Sequence, residues 1–117
     1  MSKRKITKIN KLNFKPFNKY GKVIKGWSWH NISFNKKTNF GTYISKLEPG
    51  TKTIHHLHTG HEEFYILQGE LIDSDGTVFK KGDFVYYGPN TDHSSYTKKG
   101  CLILTFMRGH NNQLKKN

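Results

Sequence analysis

From its middle onward the chain is broken into short runs at near-regular intervals. The breaks are Glu48-Pro49-Gly50, Thr59-Gly60, Gly69, Ser74-Asp75-Gly76, Lys81-Gly82-Asp83, Gly88-Pro89-Asn90-Thr91 and Lys98-Lys99-Gly100. Each holds residues that favour turns for a physical reason: Gly accepts positive φ, Pro fixes φ, and Asn or Asp bonds its own backbone. The runs between them are too short for a helix that buries an apolar stripe. They are rich in Thr, Tyr, Phe, Ile and Val, which fit a pleated surface. An all-β chain follows, with antiparallel strands packed as a sandwich or closed into a barrel. Expected strands are 22–29 (one bent strand or a pair, with Gly26 a bulge), 31–34, 39–47, 51–58, 62–68, 70–73, 77–79, 84–87, 93–97 and 101–107. Gly69 is read as a tight turn, and Ser74-Asp75-Gly76 as a hairpin of the Asp-Gly type.

A chain of 117 residues makes one domain with a small core. Hydrophobic content is only 33% but aromatics reach 14%, so large rings must supply much of the buried area. Residues 1–20 read as a basic N-terminal arm, or one short edge strand laid over the body. Residues 21–108 form the barrel and 109–117 a polar tail.

The formal charge is +12, yet Arg4 and Arg108 are the only arginines. Sequence-specific nucleic-acid readers favour Arg for its bidentate geometry. The basic surface therefore reads as a solvated lysine shell, and a nucleic-acid partner is not expected. Cys101 is the single cysteine, which excludes an intrachain disulfide and a cysteine-based zinc cluster. It reads as a buried strand residue within CLILTF. The start has positive charge but no apolar h-region, and no stretch is long enough to span a bilayer. A cytoplasmic protein with no membrane partner is expected.

Chemistry concentrates between Gly50 and Gly69, where His55, His56, His58 and His61 precede Glu63. On a strand His56 and His58 share a face, while His55 and Leu57 point the other way. Ile54 shares the inward face. Glu62 can join them if Phe64 and Ile66 also line the interior, an apolar wall that keeps water from the ligands. His93 opens a separate strand, with Ser95 on its face. Three imidazoles and one carboxylate suit a divalent transition metal such as zinc, iron, nickel, manganese or copper, not calcium or magnesium. His61 reads as exposed in a loop, His30 as a turn residue, and Trp27 and Trp29 as core or interface.

The residues resemble a known family. Gly50-x5-His56-x-His58-x3-Glu62-x6-Gly69 is similar to the first cupin motif with every position filled. Gly82-x5-Gly88-x-Asn90-x2-His93-x3-Thr97 is similar to the second, with Gly88 where the family has proline, Asn90 where it has glycine and Thr97 where it often has asparagine. Asn tolerates the left-handed conformation that position demands. The resemblance covers residues 40–107. It implies a cupin double-stranded β-helix, a small antiparallel β-barrel, with metal ligation by His56, His58, Glu62 and His93. Within cupins the chain resembles the metal-binding domain of ChrR-type anti-sigma factors and stand-alone relatives that include acetylacetone-dioxygenase-like proteins. The Glu62-Glu63 pair, the Asp73-x2-Gly76 turn, Gly82, Pro89 and Gly100-Cys101 carry that likeness. Only about fifty residues precede the motif, and the barrel needs most of them, so the anti-sigma role is not expected to carry over. Cupin lyases that cleave dimethylsulfoniopropionate also resemble the first motif. They carry tyrosine where this chain has Phe64, which argues against lyase chemistry.

The leading expectation is a metal-dependent enzyme acting on a small molecule, dioxygenase-like in its chemistry. The metal would serve as Lewis acid or redox centre, and Glu62 could leave it to act as general base. The competing expectation is a non-catalytic sensory module that binds a metal or small ligand. The outward apolar residues Leu57, Tyr65 and Leu67 need cover, which predicts a homodimer.

Overall fold

A computed structural model describes residues 3–54, the backbone of residues 56–58, and residues 60–109. Among the described residues, apart from one 3-10 turn at Ile9–Lys11, the regular structure is all strand. Ten strands occur among them: β1 (Lys15–Pro16), β2 (Trp27–Asn31), β3 (Gly41–Leu47), β4 (His56–His58), β5 (His61–Asp73), β6 (Val78–Lys80), β7 (Phe84–Tyr87), β8 (Thr91–His93), β9 (Ser95–Tyr96) and β10 (Cys101–Arg108). The main sheet runs β1-β2-β3-β10-β5-β6, with β7 and β9 also paired to β5, and β4 pairs with β8. All of these pairings are antiparallel.

Strand β5 holds the barrel together. Its first half lies between β10 and β7, and its last residues pair with β6 and β9. The expected tight turn at Gly69 is not one: the chain runs straight through as a thirteen-residue strand. Gly69 instead sits at φ +76° beside a register shift against β10, where Leu102 faces Gln68 but Ile103 faces Ile66. A glycine in the left-handed region at such a shift is how a β-bulge is made. The bulge reverses which residues point inward. Before it the even positions Phe64 and Ile66 are buried; after it Leu71 and Asp73 enter the interior.

Two clusters fill the core. Leu47, Phe64, Ile66, Leu71, Cys101 and Ile103 make one, while Phe17, Trp29, Phe34, Tyr43 and Met107 make the other. Strand β10 shows the alternation that serves both: Cys101, Ile103, Thr105 and Met107 are buried, and the residues between them half-buried. Phe17, from the basic N-terminal stretch, is fully buried and stacks on Trp27 at 3.8 Å between ring centres. Residues 15–17 thus complete the edge of the sheet and its aromatic core.

Other expectations shift locally. Residues 19–26 form turns rather than a strand, and β2 begins at Trp27. The expected strand 51–58 is regular only at His56–His58. Its earlier part still bonds to the 95–97 region, through Gly50 N to Thr97 O, Thr53 N to Ser95 O and Thr97 N to Thr51 O. Asn90 does take the left-handed conformation, at φ +68°. Buried Thr97, at another of the departures, accepts from Gly100 N and donates to Glu70 O, stitching a turn to β5.

Candidate metal centre

The interior holds a small cavity of about 40 Å³. Glu62 from the start of β5 and His93 from the end of β8 both line it. Phe64 and Ser95, two of the expected wall residues, line it as well. Ile66 is fully buried in the first core cluster, and neither it nor Ile54 is among the lining residues. Ile66 falls short because it adjoins the bulge, where the inward face passes to the odd-numbered positions and Leu71 takes the wall. Hydroxyls from Tyr20, Tyr43, Ser45, Thr53 and Thr105 add to the wall.

The backbone register sets the other two expected ligand positions against β8. In the β4–β8 ladder His56 is the partner of His93, and His58 that of Thr91. Directly paired residues share a sheet face, as do residues two apart on a strand. Positions 56, 58 and 93 therefore belong to one face; the side chains of His56 and His58 lie outside the described residues. Among the described residues, no three His, Cys, Asp or Glu side chains gather as a metal site.

His93 is buried, and its orientation is fixed from behind. Asp73 Oδ1 lies 2.7 Å from His93 Nδ1 and accepts from Ser95 Oγ at 3.0 Å. The other oxygen of Asp73 accepts from the Tyr87 hydroxyl, and the Tyr87 ring stacks on His93 at 4.4 Å. Burial alone pushes the Asp73 carboxyl up, but the hydrogen bonds from Tyr87, His93 and Ser95 outweigh it and hold the group below its ordinary range. Burial and then the Asp73 charge push the Tyr87 phenol well above its usual value, so the proton stays on tyrosine. A carboxylate that accepts from Nδ1 leaves Nε2 as the nitrogen suited to a metal, the arrangement typical of metal-bound histidines. Tyr43 and Tyr20 are likewise raised, first by burial and then by the Glu62 charge, and remain hydroxyl donors at neutral pH.

Asp73 and Tyr87 were not legible as site residues. Asp73 reads as part of a turn, and only the bulge at Leu67, two residues before Gly69, turns it inward. Trp27 packs against both core clusters as expected, and it also lines the cavity while its indole donates to Ser45 Oγ at 3.0 Å. His61 is not in a loop but opens β5, hydrogen-bonded and stacked to Tyr86. His30 lies within β2 beside Asn13, not in a turn, and His55 lies outside the described residues.

An antiparallel barrel with a histidine and a carboxylate facing a small interior cavity defines a cupin. The sequence matches the family described as the ChrR cupin-like domain over residues 2–111, and the chain belongs to that family. No curated protein matches it. Among solved structures it is similar to an acetylacetone dioxygenase from Acinetobacter johnsonii (17% identity, 92% of this chain and 76% of that one, TM-score 0.73). It is similar also to an RmlC-like cupin from Shewanella frigidimarina (20% identity, 89% and 90%, TM-score 0.68). A third likeness is to Rhodobacter sphaeroides SigE in complex with the anti-sigma ChrR (16% identity, 86% and 50%, TM-score 0.66). At these identities the likeness is one of fold. Among the described residues no helix is long and apolar enough to cross a membrane.

Proposed function

We propose that this cupin holds one divalent transition metal through His56, His58, Glu62 and His93 and acts on a small oxygen-bearing molecule in the cavity, with dioxygenase-like chemistry. The observation that carries the reading is His93, held by buried Asp73, facing the same cavity as Glu62. The donor set fits such an ion, since imidazole nitrogens and one carboxylate suit zinc, iron, nickel or manganese. When bound, the metal would supply a Lewis-acid or redox centre. The chain's own residues do the rest. Asp73 holds the His93 ring, Phe64 and Leu71 exclude water, and the Tyr43, Ser45 and Thr105 hydroxyls orient oxygen atoms of a guest. Glu62 is the candidate general base. The acetylacetone dioxygenase similarity supports this direction at the level of fold. Oxygen uptake by protein loaded in turn with iron, nickel and manganese, offered small diketones and small oxo- and hydroxycarboxylates, tests it. Substrate-dependent uptake is expected, and its absence with every one of these metals and substrates would reject an oxygenase.

A second reading, a sensory module without turnover, is favoured by the family's ChrR description and by the small cavity volume of about 40 Å³. Turnover of any compound decides against it. We also propose a homodimer, as the sheet face bearing exposed Phe84 and Tyr86 requires cover.

A further inference from the structure

We infer that Lys19 is an anion-recognition residue for the cavity and that the molecule admitted there is a small carboxylate; the inference specifies the substrate class of the site proposed above. No lysine or arginine is among the described residues that line the cavity, so its inner wall offers hydroxyls, rings, Glu62 and His93. A cation stands against two of the lining rings. The Lys19 ammonium lies 5.3 Å from the ring centre of Tyr20, 5.3 Å from that of Phe34 and 5.7 Å from that of Tyr43. Tyr20 and Tyr43 are themselves lining residues. Tyr20 is 36% exposed, which puts it at the mouth between cavity and solvent.

The ammonium is half-buried, and among the described residues no acceptor takes its hydrogens. Three aromatic faces attract a cation but offer no lone pair of the kind its three donors need. Burial lowers its affinity for the proton while the Glu62 carboxylate opposes that, so the ammonium also feels the charge of the site. Its segment is held in place, because Phe17 two residues earlier is fully buried under Trp27. Its four-carbon stem, by contrast, rotates readily. A carboxylate entering over Tyr20 would meet this ammonium first and satisfy its donors. The net charge of +12 draws anions toward the molecule in the same sense. The small cavity limits the guest to a few heavy atoms.

The test compares acetate with acetamide, equal in shape and different in charge, at fixed ionic strength. Binding is followed at the Trp27 indole N–H resonance, since that indole lines the cavity. Wild type and Lys19→Arg should bind acetate at least about tenfold more tightly than acetamide, the scale of a charge-assisted hydrogen bond. Lys19→Met and Lys19→Gln should bring the ratio to about one; two replacements of different polarity guard against a folding defect in either. Both chelator-treated and zinc-loaded protein are titrated. A ratio near one in wild type, or a preference kept in both variants, overturns the inference. A preference that needs zinc and ignores Lys19 overturns it while leaving the metal reading intact. A Lys19-dependent preference in protein that binds no zinc upholds it while the metal reading falls.

Discussion

Asp73 touches His93, Ser95 and Tyr87 at once, and each contact constrains a different degree of freedom of the histidine. Replacing its carboxylate should loosen the ring without removing a ligand. Asp73→Asn is expected to weaken divalent-metal affinity by about 10–100-fold, measured by chelator competition; unchanged affinity would remove Asp73 from the site. Glu62, Phe64, His93 and Ser95 were legible because each needs only local alternation to be placed. Asp73 was not, because its direction depends on a bulge six residues earlier, at Leu67. Cys101 matched its reading as a buried strand residue, and burial pushes its thiol up to about 11 from an ordinary value of 9.0. The folded state thus holds this proton more tightly than the unfolded chain. The stability this confers is complete below pH 9.0 and is lost as pH rises toward 11. Denaturation midpoints measured across that range should fall with pH in wild type, and less steeply in Cys101→Ala.

At the scale of elements, the turns were the most readable feature and the pairings the least. The run 84–87 became β7, and 101–107 became β10 with one residue more. The β4–β8 ladder was invisible in sequence, because it joins segments more than thirty residues apart and no local pattern encodes it. The reading of Gly69 as a turn failed for a definable reason: a left-handed glycine serves a tight turn and a bulge equally well. What decides is the neighbouring chain. A Cβ at Gly69 would lie 2.1 Å from Gly100 O and 2.9 Å from Cys101 Cα, so backbone presses on this position from β10. Gly69→Ala should therefore destabilise by at least about 2 kcal/mol through clash and unfavourable φ together. It should also weaken metal binding, since the bulge aims Asp73. A chemical denaturation curve within about 0.5 kcal/mol of wild type would show that the bulge can relax.

Over the whole molecule, charge and apolar surface are segregated. Eighteen of the twenty basic residues are lysines. None of them falls on the outward positions Leu102, Leu104, Phe106, Glu63, Tyr65, Leu67, Phe84 and Tyr86 of β10, β5 and β7. Phe84 is 66% exposed there and packs against Tyr65, while Arg108 pairs with Glu63 at the margin. With Lys46 of β3 beside Leu102 and Arg108 at the margin, this aromatic face with a charged rim has the composition of a protein interface. Light scattering should give twice the 13.6 kDa chain mass at micromolar concentration, and the Tyr65→Glu, Phe84→Glu double variant should halve it. Leu57, expected on the same face, lies outside the described side chains. The central claim concerns the opposite, inner side of that sheet. Elemental analysis of untagged protein, alongside His93→Ala and Glu62→Ala, tests it most directly. One equivalent of zinc, iron, nickel or manganese per chain, lost in both variants that remain folded, is the predicted result. Metal-free wild type that takes up no divalent ion on reconstitution, or variants that retain a full equivalent, would contradict it.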